Sequence, residues 1–139
     1  MTQAIAYLSF DGKCAEAMRF YEQALHGKLE VLMSGADSPI EAQIPKEFAD
    51  RILHARLALP GGGLLYGGDA PAHIPYESIK GVSIAVDYPT VAEAEQVFTA
   101  LSAGGVTMAM APTFWAKRFG MVTDRYGTPW IVNGEPIPV

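Results

Sequence analysis

The sequence predicts an α+β fold of two βαβββ repeats, whose mixed sheets curl around a cavity. Three observations carry this. The hydrophobic period switches between two residues and about 3.6 in the same order twice along the chain. The two halves overlie when the first is moved by 77 residues, which points to an internal repeat. The last third, Ala111 to Gly134, reads as a hairpin carrying both tryptophans, Trp115 and Trp130.

The elements follow in order. AIAYLSF alternates as a strand, with Tyr7 and Ser9 on one face and Leu8 and Phe10 on the other. Asp11-Gly12 breaks it. From Lys13 to about His26, Cys14, Ala17, Met18, Tyr21 and Leu25 fall on one helical stripe, and Gly27 is placed to stop the helix. KLEVLM alternates again. RILHARLAL, the turn Pro60–Gly63 and LLYGG complete the first repeat, residues about 3–70, with a hairpin.

The second repeat, about 80–134, begins with the strand GVSIAVDY. Thr90 has N-cap character with Glu93 at capping-box spacing. Val91, Ala94, Val97, Phe98 and Leu101 form the buried stripe, and Gly104-Gly105 ends the helix. VTMAM, FGMVT and TPWIVNG are the remaining strands, with the turn Asp124–Gly127 between the last two. The 77-residue shift sets Ile5, Tyr7 and Ser9 on Val82, Ile84 and Val86, Tyr21 on Phe98, and Leu29 on Val106. Residues 34–50 form a long connection. Ile44 and Phe48 are one helical turn apart there, as in a partly ordered flap. A second irregular stretch, Asp69 to Lys80, links the halves.

Composition fits one globular domain spanning 1–139: half the residues are apolar and 18% are charged. Net charge is −5 with no basic run, which argues against nucleic acid as a partner. One cysteine, Cys14, excludes an intrachain disulfide. The start lacks a signal-peptide pattern and no apolar run approaches bilayer length, so a cytoplasmic protein without a membrane partner is expected.

Four stretches, YLSFDGKCAEAMRFYEQAL, HARLAL, GGDAP and TFWAKRFGMVTDRYGTPWIVN, resemble the PhnB-like branch of the vicinal oxygen chelate (VOC) superfamily. That superfamily includes glyoxalases, extradiol dioxygenases and antibiotic-resistance proteins. The resemblance spans Tyr7 to Asn133 and implies a homodimer of glyoxalase-like fold. Relatives of this branch carry labels such as glyoxalase-like or 3-demethylubiquinone 3-methyltransferase-like. A methyl donor needs a nucleotide site, typically a Gly-rich strand-to-helix turn in a parallel sheet, and nothing here resembles one.

The resemblance also implies where a metal would sit, on the first and fourth strands of each half, held by His and Glu. The candidates there are Ala6 or Tyr7, then Leu65, Tyr66 or Gly67, then Gly81, Val82 or Ser83, then Ile131. None is a usual ligand, so neither a metal nor another cofactor is expected.

The expected function is therefore metal-free binding of a small apolar or aromatic molecule in the sheet cavity. His54, Tyr66, Trp115, Phe119 and Trp130 are the expected lining residues, although large aromatics at such positions also serve as plain core. His54 interrupts an apolar strand and would be the general acid or base of any reaction, because histidine changes charge nearest neutral pH. One alternative is a metal-dependent isomerase or dioxygenase that uses His54 with Glu41 or Glu47 of the flap. The other is a sequestration protein without turnover. His26 suits a helix end, His73 a solvated loop, and Asp69 and Asp124 turns. Lys117-Arg118 is either a solvated pair or an anion contact at the cavity mouth.

Overall fold

The computed structural model describes residues 2–138. Where the sequence suggests one domain of two repeats, the contacts divide the chain into two compact units, Met1–Ser78 and Ile79–Val139. The boundary falls in the irregular stretch between the repeats.

Unit 1 runs β1 (Tyr7–Phe10), α1 (Cys14–Ala24), β2 (Lys28–Ser34), β3 (Ile52–Ala58) and β4 (Leu64–Asp69). Unit 2 runs β5 (Ile84–Tyr88), α2 (Val91–Leu101), β6 (Val106–Ala111), β7 (Ala116–Thr123) and β8 (Pro129–Pro136). The plan is βαβββ twice, as the periodicity indicates. Each unit is one open four-stranded mixed sheet, ordered β1-β4-β3-β2 or β5-β8-β7-β6. The first and fourth strands pair in parallel and the other pairs are antiparallel.

One sheet face in each unit packs on that unit's helix. Leu8, Phe10, Ala55, Leu57 and Leu65 are buried with Cys14, Ala17, Met18, Tyr21 and Leu25 of the α1 stripe. In unit 2 the buried set is Val86, Tyr88, Val122, Trp130 and Val132 with Ala94, Val97 and Leu101. Each fully buried large side chain contributes about 1.5–3 kcal/mol of hydrophobic stabilisation. Strand alternation then leaves the intervening residues on the helix-free face.

The repeat is real, but the strand alignment at 77 residues is one residue out. Tyr7 pairs with Tyr66, and Arg56 faces Tyr66 from the other side; in unit 2, Ala85 and Met121 flank Ile131 in the same way. Tyr7 therefore corresponds to Ala85, an offset of 78, whereas the helices keep 77, Cys14 matching Val91. The β1–α1 connection is one residue longer than the β5–α2 connection. A one-residue slip exchanges the two faces of a strand, so this correction decides which side chains are equivalent.

The helix ends also depart from expectation. His26, not Gly27, adopts the left-handed backbone after α1, with φ 61°. Gly27 is needed for closeness: a Cβ there would lie 2.7 Å from the Ala58 carbonyl oxygen. In unit 2 the same two tasks fall to Gly104, with φ 77°, and to Gly105, whose Cβ would meet the Thr123 carbonyl. Thr90 caps α2 as predicted, accepting the Glu93 N–H at 3.2 Å. β5 starts at Ile84, so Gly81, Val82 and Ser83 precede the strand.

Candidate functional site

On the helix-free face of unit 1 three rings converge. The ring of His54 on β3 lies 5.0 Å from Tyr66 on β4, edge-on, and 6.0 Å from Tyr7 on β1, stacked. Tyr7 and Tyr66 are 6.4 Å apart. Gly68 makes the cluster possible, since a Cβ there would stand 2.6 Å from the Tyr7 hydroxyl. That hydroxyl donates instead to the Leu53 carbonyl at 3.0 Å. Burial, with a smaller contribution from Cys14, raises the Tyr7 pKa and keeps the phenol neutral. Arg56 stands on the same face, with Nε 3.1 Å from Glu30 Oε1. Its N–H is not aligned for a hydrogen bond to that oxygen. A half-exposed pair of this kind is worth about 0–1 kcal/mol.

The corresponding face of unit 2 is more apolar. Phe119 and Met121 of β7 face Ile131 and Asn133 of β8, next to Ala85 and Asp87 of β5. Trp115 lies edge-on to Phe119 at 5.2 Å and to Phe114 at 4.9 Å. Its indole N–H donates to Asn133 Oδ1 at 3.3 Å, and Asn133 Nδ2 donates to Asp87 at 2.9 Å. Phe114 is 76% exposed.

Of the predicted lining residues, His54 and Tyr66 meet in unit 1, and Trp115 and Phe119 meet in unit 2. Trp130 does not belong with them. It is fully buried on the helix side of β8 and donates its indole N–H to Asp124 at 2.7 Å. Gly134, four residues on and on the same strand face, shows the same orientation, because a Cβ at 134 would meet Ala94 of α2. Trp130 is core.

Asp124 is the turn residue the sequence suggested. It accepts the backbone N–H of Tyr126 at 2.8 Å and of Thr128 at 3.1 Å. Asp69 has another role. Its carboxylate accepts the N–H of Cys14 at 3.0 Å and of Ile52 at 2.8 Å, tying the start of α1 and the start of β3 to the end of β4. Lys117 pairs with Glu135 at 3.0 Å and Arg118 with Glu95 at 3.4 Å, so the two cations are engaged separately.

Sequence reasoning missed Arg56, Asp87, Met121 and Asn133. Arg56 is two residues beyond His54, so strand alternation alone places them together. Met121 and Asn133 alternate in the same way with Phe119 and Ile131, and Asp87 joins them once β1 and β5 are set at the 78-residue offset. Among the described residues, no group of three His, Cys, Asp or Glu could hold a metal ion, so His54 is not assembled with Glu41 and Glu47. Among those residues no helix is long and apolar enough to cross a membrane.

Comparison with known proteins agrees with this architecture. Residues 2–133 match a family model described as 3-demethylubiquinone-9 3-methyltransferase. Protein YjdN of Escherichia coli K12 is 34% identical over 136 residues, 91% of each chain. The structure of protein PA1353 from Pseudomonas aeruginosa superposes with a TM-score of 0.86 at 43% identity, covering 96% of this chain and 97% of that one. The PhnB protein of Bacillus cereus, titled a putative 3-demethylubiquinone-9 3-methyltransferase, gives 0.74 at 22% identity, covering 95% and 98%. The fold recurs in glyoxylase/bleomycin resistance/dioxygenase and fosfomycin resistance structures. With its two βαβββ units and a family match over nearly its whole length, the chain belongs to the family described as 3-demethylubiquinone-9 3-methyltransferase, and it shares its fold with PhnB and with glyoxylase/bleomycin resistance/dioxygenase structures.

Proposed function

We propose that this protein binds a small apolar or aromatic molecule on the helix-free faces of its sheets, and does so without a divalent metal. The observation that carries the reading is the content of four registered positions on the first and fourth strands. They hold Tyr7 beside Tyr66 and Ala85 beside Ile131. Alanine and isoleucine offer no donor, and the raised pKa of Tyr7 works against a phenolate ligand. The surrounding rings, Tyr7, His54 and Tyr66 in one unit and Trp115 and Phe119 in the other, are suited to flat apolar ligands. The methyl transfer in the family description is not part of the proposal: Asp11-Gly12-Lys13 between β1 and α1 is no nucleotide-binding loop.

Elemental analysis of the purified protein tests the first part, and stoichiometric Ni, Zn, Mn or Fe would overturn it. Quenching of tryptophan fluorescence by candidate aromatics tests the second. The quench is expected from Trp115 and should vanish in Trp115→Phe; persistence there would move the site elsewhere.

His54 supports a second reading, in which the bound molecule is turned over by acid–base chemistry. A product search with His54→Gln as control separates catalysis from sequestration. The proposal extends to a homodimer. The outer strand β6 exposes Val106 and Met108, 79% and 57%, and carries no charge, whereas the outer strand β2 carries Lys28 and Glu30. An uncharged apolar edge strand invites a partner. Met108→Lys is expected to shift the sedimentation profile toward monomer, and a monomeric native protein would refute the dimer.

A further inference from the structure

The segment between β2 and β3 folds over a second space in unit 1. It forms two 3-10 turns, Glu41–Gln43 and Lys46–Phe48. Beneath it lies a cavity of about 250 Å³, walled by Ile44, Phe48, Ile52, Leu53 and Ala70. None of Tyr7, His54, Arg56 or Tyr66 lines it, so it is separate from the ring cluster. We propose that this cavity is a binding site for an uncharged aromatic molecule of one or two fused rings.

Size sets the upper bound. A dry apolar cavity of about 150 Å³ takes benzene. The larger space here suits a bicyclic ring such as indole, and the apolar walls suit its faces.

Charge sets the ligand class. The charged groups Arg51 and Asp69 at the border already have partners within the fold. Arg51 donates to the Ala70 carbonyl at 3.1 Å and to Asp11 at 2.8 Å, and its guanidinium lies 4.9 Å from the Phe48 ring centre. Both carboxylate oxygens of Asp69 are held by backbone N–H groups. An anionic or cationic ligand would have to break one of these pairs or enter without a counter-charge, and either is costly. A neutral molecule has neither cost. Gln43 and His73, exposed but part of the lining, supply polar atoms for one N–H or O–H of the ligand.

The same contacts fix the covering segment. Arg51 ties its end to the β1–α1 turn and to the residue after β4, while Gly35 and Ala36 donate to Arg51 and Ala49 carbonyls at 2.9 Å. Single-turn 3-10 hydrogen bonds hold the middle, Gln43 to Ile40 and Phe48 to Pro45. The rim at Ala72 and His73 is exposed, so entry needs at most a widening by the middle of the segment, where few bonds resist it.

The test uses the full chain with carbon-13 labels on the isoleucine δ-methyl groups and indole as the probe. The Ile44 and Ile52 signals are expected to shift saturably. Indole-3-carboxylate is expected to bind at least about tenfold more weakly, because its charge has no partner inside. Filling the space with Ala72→Trp at the exposed rim, or with Ala70→Leu in the wall, is expected to abolish the shift while the remaining spectrum stays native. The inference is overturned if indole leaves Ile44 and Ile52 unmoved, if both filling variants still bind, or if the carboxylate binds equally well. Ile131, on the helix-free face of β8, reports separately on the site proposed above, so the two readings fail independently.

Discussion

In register, Tyr7, His54, Arg56 and Tyr66 of unit 1 stand where Ala85, Phe119, Met121 and Ile131 stand in unit 2. Ser9 and Gly68 likewise correspond to Asp87 and Asn133. One face thus carries a cation, an imidazole and two phenols, and its counterpart carries apolar groups with an Asp–Asn pair. On the helix side the equivalences are Leu8 with Val86, Phe10 with Tyr88, Leu57 with Val122 and Leu65 with Trp130, all buried. The repeats preserve apolar character where the sheet meets the helix and diverge where it does not. Period-two alternation makes this possible, because neighbouring residues on a strand answer to different surroundings.

Truncation of equivalent core residues is the strongest way to break this comparison. Trp130→Ala is expected to cost about 3–5 kcal/mol and Leu65→Ala about 2–5, read by denaturant unfolding followed by circular dichroism. The Trp130 loss includes an Asp124 carboxylate deprived of its indole donor. If Trp130→Ala cost less than about 1 kcal/mol, the helix side of unit 2 would not be the core described here.

The helix starts give the next contrast. Asp69 and Glu135, each from the end of the fourth strand, accept the first helical N–H, of Cys14 at 3.0 Å and of Val91 at 3.3 Å. Asp69 also holds Ile52, and α1 has no local side-chain cap, whereas α2 has Thr90. Asp69→Ala should cost about 1–3 kcal/mol in unfolding experiments. Glu135→Ala should cost less, and an equal loss would erase the contrast. Lys117 and the Val91 N–H hold the Glu135 pKa below its usual value. Its small contribution is therefore present above the ordinary glutamate pKa and lost as pH falls through the depressed one.

Alkaline titration compares the units through one buried acid each. Burial, and secondarily Asp69, pushes the Cys14 thiol to about 12 from 9.0. Burial, and secondarily Glu93, pushes Tyr88 to about 12 from 10.0. In both cases the unfolded chain gives up its proton first. Stability is whole below the unfolded pKa and falls as pH rises toward 12, with a slope approaching about 1.4 kcal/mol per pH unit for each group. Cys14→Ala and Tyr88→Phe should each flatten part of that fall in a pH series of unfolding curves; an unchanged slope in both would rule out these groups as its source.

The smallest stability effects are expected on the helix-free faces. Exchanging the equivalent residues, Tyr66→Ile or Ile131→Tyr, should alter stability by no more than about 0.5 kcal/mol while changing aromatic-ligand affinity measurably. A large unfolding penalty with unaltered binding would mean that these faces are structural after all.

Much of this was legible in the sequence. Periodicity located all eight strands and both helices, and the α1 stripe from Cys14 to Leu25 is buried as read. What failed did so for identifiable reasons. Trp130 was read as a pocket wall because the size of a side chain does not tell which strand face it occupies; only register does. The alignment slipped because loop lengths differ by one residue and local patterns cannot see the partner strand. Gly27 is expected to stop α1 because glycine is common after a helix, but what requires it is the nearby Ala58 carbonyl, and His26 takes the left-handed turn. Asp69 binds α1 and β3 across the fold, which no turn propensity encodes.

The distribution of rare residues has one more consequence. The single cysteine, Cys14, is fully buried in unit 1, while both tryptophans belong to unit 2. Each half therefore contains its own natural reporter. Thiol-trapping kinetics follow the opening of the first unit, and indole emission follows the loosening of the second. The order in which two units of one plan come apart can thus be timed in the unmodified chain.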